Sequence, residues 1–456
     1  MSVFSPAPQE AGRLRPSVAC DTGGALSGFR CIRSVGGIEE YRLAANGLRV
    51  LFMEARAAPV ALLMLTYEVG SRHETDGFKG ASHMIEHLMF KGSARFNRQL
   101  GTSIFDLLHP VGAQTNATTW LDRTNYFNLV PVSHLEIAAD VEADRMRNLR
   151  IAPADLEAER TVVLNEHDMY AGDPLERLNQ AVWGAAFRDH PYGHPVLGTR
   201  DDILGLTREH LFEHYNRYYW PDNATLTVIG DVDRKRTFDL VRRHFEPLPS
   251  ANRSFETDHG AEPGPHGEQR VVVEQEGQPG WVMLAYRTPD GSSADADALE
   301  LLGSVLTCGK LSRVYRPLVV TGLATGAWSS ISRLRHPGLF QVQSLLGSDQ
   351  AHLRVEQVLR DAIADIRRHG VSQQELDRAK GRTRGNLLTS RDGPVAVALQ
   401  LNEAIAAGDW TSYAAATDRI AAVTVADVQR VARDYLIDAR LTVGHLAQPG
   451  HGGAVQ

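Results

Sequence analysis

His83, Glu86 and His87 stand in the order His-x-x-Glu-His, within Gly80-Ala-Ser-His83-Met-Ile-Glu86-His87-Leu-Met-Phe90. Apolar residues at 84, 85, 88 and 89 fit a largely buried helix, and Gly77 and Gly80 loosen the chain before it. On such a helix His83 and His87 sit one turn apart on one face, and Glu86 reaches the same region. Two imidazoles so placed can hold one zinc ion, with the carboxylate beside them as a base; the order is the inverse of the His-Glu-x-x-His zinc helix. The bland alternative is a pair of satisfied core histidines. Burying two imidazoles and a carboxylate together gains little unless something coordinates and neutralises them, and this favours the metal.

A third ligand can come from Leu156-Glu157-Ala-Glu159-Arg160-Thr-Val-Val-Leu-Asn-Glu166-His167. Glu159 and Glu166 are seven residues apart, so two helical turns return both carboxylates to one face. One can complete a His, His, Glu set that leaves the fourth position to water, as a catalytic zinc site requires. The other can orient a ligand from behind. Spacing alone does not choose between them.

The chain that must position these groups has 456 residues, enough for two or three domains. With 43% hydrophobic and 23% charged residues it has a globular composition. A formal net charge of −7 and no basic run exclude an electrostatic case for nucleic acid. No stretch approaches the roughly 18 uninterrupted apolar residues of a membrane helix. The N-terminus has no basic start followed by an apolar segment, so a cytoplasmic location is expected. Cys20, Cys31 and Cys308 are sparse and odd in number, which argues against a disulfide framework and a thiolate metal site.

A break falls near 246–269, where Glu246-Pro247-Leu248-Pro249-Ser250 and Glu262-Pro263-Gly264-Pro265 enclose a polar, aperiodic stretch. Segments echo each other across it. Leu65-Thr-Tyr67 returns as Leu284-Ala-Tyr286, Ile151–Arg160 as Val371–Lys380, Leu206-Thr207 as Val423-Thr424, and Leu226–Gly230 as Leu441–His445. Four echoes at one offset of about 220 residues point to an ancient duplication. Helical periods at Asp155–Tyr170 and Val355–His369, with adjacent strand runs at Gln114–Trp120 and Asn125–Val130, predict antiparallel pairing. The expected fold is α+β: two duplicated domains, each a mainly antiparallel sheet covered by helices. Its expected parts are an N-terminal extension over 1–36, a zinc-binding domain over 37–246, a linker over 247–269, a homologous domain without metal over 270–448, and a tail over 449–456.

From about residue 40 to 447 the chain resembles the pitrilysin/insulinase-like inverzincins, especially the half-sized branch that includes mitochondrial processing peptidase. The resemblance rests on Val69-Gly-Ser-Arg72, the inverted His83–His87 helix, Gly112-Ala-Gln-Thr-Asn116-Ala-Thr118 with Asp122, Thr124 and Tyr126, Glu142-Ala-Asp-Arg145, Glu159–Glu166, and His190-Pro-Tyr-Gly-His194-Pro195. It implies a zinc endopeptidase with one zinc ion per chain. His83, His87 and Glu166 would be ligands, Glu159 the carboxylate behind them, and Glu86 the base that takes a proton from water and carries it to the leaving amine. His190 and His194 would be structural. Asn116 and Ala117 would lie on an edge strand that binds an extended peptide by adding it to the sheet.

The family's second domain, or a partner chain, supplies an arginine and a tyrosine for substrate and oxyanion. Leu311-Ser312-Arg313-Val314-Tyr315 resembles the arginine segment, which makes Arg313 the candidate. Where the family has Gly-Leu-Ala-Tyr, this chain reads Gly322-Leu323-Ala324-Thr325, so the tyrosine is missing. The second half also has no His-x-x-Glu-His. The expectation is therefore a metal-bearing chain that acts on unstructured peptides or leader segments, paired with a homologous chain that lacks zinc ligands but brings an arginine–tyrosine pair, or with itself as a homodimer. The alternative is a non-catalytic assembly subunit like the processing-peptidase relatives in respiratory complexes.

Overall fold

Gly36 and Gly37 both have positive φ (61° and 83°), the backbone that a two-residue hairpin turn demands. They join β1 (Phe29–Val35) to β2 (Ile38–Leu43), which pair antiparallel. The hairpin extends a sheet formed by β3 (Arg49–Glu54), β4 (Val60–Tyr67), β5 (Gln114–Thr119), β6 (Thr124–Pro131) and β7 (Ala224–Gly230). These are features of a computed structural model that describes residues 26–255, 267–347 and 351–450. The second sheet holds β8 (Gln269–Glu274), β9 (Trp281–Arg287), β10 (Ala324–Ile331), β11 (Leu339–Leu346) and β12 (Leu441–Ala447).

The first sheet runs β1-β2-β3-β7-β4-β6-β5 and the second β10-β11-β9-β12-β8. Without the β1–β2 hairpin the two orders are the same. The parallel pair β3/β7 answers β8/β12, and the remaining core pairs of both sheets are antiparallel. The duplication read from sequence echoes is thus a duplication of topology. One echo is out of register: Leu65 pairs with Leu226, whereas Leu284 pairs with Val443 rather than Leu441. A two-residue slip keeps every side chain on its face, so the apolar pattern does not reveal it.

Central strands are covered on both faces, which is why β4 and β7 read as near-continuous buried runs. In the first domain one face of the sheet packs on helices Ala81–Leu88, Leu135–Arg147, Pro153–Gly172, Arg208–Tyr218 and Arg234–Phe245. The other face is covered from the second domain, where Val397, Ala398, Leu401 and Ile405 of helix Gly393–Ala406 meet Leu62, Met64 and Ile229. The exchange is reciprocal. Leu178, Val182 and Trp183 of helix Pro174–Ala186 lie against Met283, Ala285 and Leu446 of the second sheet. Gly444 on β12 permits that approach, since a Cβ there would stand 2.5 Å from Val182 Cγ2. Leu178, Val182 and Leu401 are fully buried, and each such side chain stabilises by about 1.5–3 kcal/mol, so the domains separate only at high cost.

Two expectations change. Strand β1 lies inside the expected extension, so the sheet begins before residue 37; residues 1–25, including Cys20, lie outside the described residues. The linker is tied down at its start, where Asp222 accepts hydrogen bonds from Ser250 Oγ and the amides of Ala251 and Asn252 at 2.6, 3.1 and 3.0 Å. Most of its remainder (256–266), and most of the tail (451–456), lie outside the described residues. Cys308 is a free, exposed thiol that belongs to no metal-holding group among the described residues. Among the described residues no helix is long and apolar enough to cross a membrane.

Candidate metal centre

Ala81–Leu88 is a helix, and Ala81, Met84, Ile85 and Leu88 plug it into the first-domain core. Its N-terminus has no side-chain cap from its own N-cap, Gly80, whose φ is 83°. A Cβ at Gly80 would stand 2.3 Å from the Leu197 carbonyl, so only glycine fits. The orphan amides are taken up from outside the helix. Glu74, 3% exposed, accepts from Gly80 N at 2.8 Å and Ser82 N at 2.7 Å. Burial pushes Glu74 up to about 8 against the pull of those amides.

The second carboxylate-bearing element is helix Pro153–Gly172, where Leu156, Glu159, Val163 and Glu166 form one stripe. Leu156 and Val163 enter the core, which turns Glu159 and Glu166 toward the histidines. Arg160 anchors the helix by donating to the carbonyls of Ile203, Leu204 and Leu206. Glu166 Oε2 lies 3.7 Å from His83 Nε2 and 3.5 Å from His87 Nε2. His87 Nδ1 lies 3.0 Å from Glu159 Oε2, and Lys91 Nζ lies 2.5 Å from the other Glu159 oxygen. Glu86 accepts from the Thr119 hydroxyl at the end of β5.

One donor atom each from His83, His87 and Glu166 falls within 4.8 Å of the others. Tetrahedral zinc with bonds of about 2.0 Å needs ligand atoms about 3.3 Å apart, so a small inward movement closes the set. Among the described residues His83 Nδ1 is buried without a hydrogen-bond partner. Burial, with His87 beside it, holds His83 down at about 4, the neutral form a metal takes. Burial also lowers His87, but the carboxylates of Glu166 and Glu159 outweigh it and the net shift is upward. Its bond with His87 keeps Glu166 below the usual range. Burial raises Glu86 despite its Thr119 bond. Two imidazoles and one carboxylate around an open side fit zinc.

Beside this group lies a cavity of about 370 Å³, lined by His83, Glu86 and Glu166, by Ala117–Leu121 of the β5 hairpin, and by Tyr170, Glu176 and Trp183. Ala117 is buried and Asn116 exposed on β5, the outermost strand of the sheet. His194 also lines the cavity but, among the described residues, belongs to no group that could hold a metal. His190 caps the Pro191–Gly193 turn through Tyr192 N and lies 2.9 Å from His336.

Arg313 is elsewhere. Its guanidinium is held by Glu375 at 2.7 and 3.0 Å, by Asp365, and by the Gly370 carbonyl, all within the second domain, and it does not line the cavity. Thr325 lies on β10, the edge of the second sheet.

Residues 49–200 match the family described as insulinase (peptidase family M16), and residues 205–382 match its inactive domain. The chain belongs to the M16 family. A zinc protease of Mycobacterium leprae is 31% identical over 345 residues, covering 75% of this chain and 77% of that one. The β subunit of mitochondrial processing peptidase from Lentinula edodes is 27% identical over 445 residues, 94% of this chain and 93% of its own. Among solved structures, a protease from Helicobacter pylori superposes with a TM-score of 0.83 at 27% identity, over 90% of this chain and 99% of that chain. By this homology, with the histidine–glutamate group assembled, the protein is an M16 zinc protease.

Sequence reasoning missed Glu74, the Thr119–Glu86 bond, and the buried set in which Asp122 accepts from Arg72 Nε at 2.6 Å, Tyr192 Oη at 2.7 Å and Arg335 N at 2.9 Å. The buried acid ahead of a glycine-led helix was the one available signal, for Glu74.

Proposed function

We propose that this is the metal-bearing chain of a two-chain zinc endopeptidase acting on unstructured peptides or leader segments. The observation that carries the reading is the convergence of His83, His87, Glu166 and Glu86 on one wall of a cavity whose other wall is an open sheet edge. An extended peptide would pair with β5 near Asn116 and Ala117 and run past Glu86. Zinc held by His83, His87 and Glu166 would acidify a water molecule and polarise the scissile carbonyl. Glu86, positioned by Thr119, would be the group that holds a proton and hands it to the leaving amine. Glu159, tied to Lys91, holds the His87 ring so that Nε2 faces the ligand set.

The partner is a homologous but different chain rather than a second copy. Arg313 is occupied by two carboxylates and position 325 is a threonine, so a second copy would bring neither a free cation at 313 nor a phenol at 325. The processing-peptidase β relative is itself named as a subunit.

Mixing the zinc-loaded chain with homologous chains from the same genome that keep the arginine–tyrosine pair tests this. Cleavage of an unstructured peptide pool should rise at least tenfold with one of them. Equal activity with and without every such partner contradicts the two-chain reading.

A further inference from the structure

Helix Gly393–Ala406 of the second domain reaches the β5–β6 hairpin through two adjacent residues. Asn402, fully buried, accepts from Thr66 Oγ1 at 2.8 Å and donates to Asn125 Oδ1 at 3.2 Å. Glu403 Oε1 accepts from Arg123 Nη2 at 2.6 Å and Nε at 3.1 Å. The remaining Arg123 nitrogen, Nη1, donates to the Thr118 carbonyl at 3.0 Å, Thr118 Oγ1 at 2.6 Å and Asn125 Oδ1 at 3.2 Å. Arg123 is only 8% exposed, and each of its guanidinium nitrogens is engaged. Thr118 precedes Thr119, the partner of Glu86.

A guanidinium is a planar fork with fixed donor directions, so it relays position as well as charge. Here one edge of the fork is set by a carboxylate of the metal-free domain and the other grips the backbone of the strand beside the catalytic cavity. Strand β5 has a neighbour on one side only, so its outer ladder groups are fixed by β6 and by such ties at its end. A peptide that adds to β5 must meet donors and acceptors at strand spacing, about 4.8 Å away.

We propose that Arg123, oriented across the domain boundary by Glu403, is a positioning residue that holds β5 for peptide capture. The proposal rests on the reading of β5 as the substrate strand. By this device the domain without metal sets the affinity of the domain that has it.

The test uses the full zinc-loaded chain, with its partner where turnover needs one, and an unstructured peptide of about 15 residues, long enough to span the strand. Arg123→Gln should raise KM about tenfold, with kcat within about twofold and zinc content unchanged. Glu403→Gln should raise KM about threefold, and the double variant should be no worse than Arg123→Gln, because Glu403 acts through Arg123. Arg123→Lys keeps the charge and loses the fork, so it should stay near the glutamine value. Unchanged KM in Arg123→Gln, restoration by lysine, additive losses, or a fall in kcat with loss of zinc would each overturn the proposal. Binding of the same peptide, fluorescently labelled, to the Glu86→Gln protein separates it from the reading beneath it. No binding by that parent overturns peptide capture and this proposal together. Firm binding that Arg123→Gln leaves unchanged overturns the positioning role alone.

Discussion

The helix after β4 carries His83, Glu86 and His87; the helix after β9, Ala294–Thr307, carries Leu302, Val305 and Leu306 at the same spacing and at the offset that joins Tyr67 to Tyr286. At the offset joining Ile151 to Val371, Glu159 and Glu166 become Ala379 and Asn386. Leu302, Leu306 and Ala379 are buried in the second core. One topology therefore brings the same two helices against the same sheet twice. In one copy the meeting point is apolar packing, and in the other it is a polar cluster that could hold a metal ion. Supporting that cluster takes extra parts: an outside cap from Glu74, a counter-charge from Lys91, and a hydroxyl from Thr119. The fold supplies proximity, and the side chains decide between packing and chemistry.

Substitutions in either copy test this contrast. The largest expected effect is at Glu166. Glu166→Gln removes the proposed carboxylate ligand, and metal analysis after gel filtration should fall from about one zinc per chain to near none. Full retention would mean that the metal is held elsewhere. In the second domain, Leu302→Ala should cost about 2–5 kcal/mol in denaturant unfolding, with zinc affinity unchanged. A loss of zinc there would mean that the two copies are not independent in role.

A third test uses the buried ion cluster of the second domain, where Glu356 contacts His445, Arg270 and Arg360. Burial alone would raise Glu356, but these bonds outweigh it and bring the group down to about 2, below its ordinary 4.5. Because the folded value is depressed, the stabilisation is full above about pH 4.5 and is lost as pH falls toward 2, about 3 kcal/mol in all. Glu356→Gln should flatten that limb of an acid-unfolding curve; an unchanged limb contradicts the assignment. The smallest effect is behind the metal. Glu159→Gln should weaken zinc binding about 10–100-fold in a chelator competition, while the helix stays folded.

Local signals made much of this legible in the sequence. The i, i+3, i+4 spacing of His83, Glu86 and His87 and the seven-residue step from Glu159 to Glu166 are helical facts, and the helices are there. The repeated strands carried the topology, because buried central strands such as β4 and β7 are written as apolar runs. Contacts between residues distant in the chain left no such trace. The Asp122 set joins residues 72, 122, 192 and 335, and no period connects them. Arg313 matched a segment pattern, but its partners Glu375 and Asp365 come from later helices, so its pairing could not be read locally. Strand β1 was missed because Arg30 and Arg33 interrupt its apolar residues; Gly36-Gly37 was the better clue.

The most direct measurement of the central claim is cleavage of an unstructured peptide by zinc-loaded protein, with its partner chain present, beside the Glu86→Gln variant. The variant should keep its zinc and lose about a hundredfold or more in kcat. Equal cleavage by a zinc-loaded Glu86→Gln protein would contradict that claim.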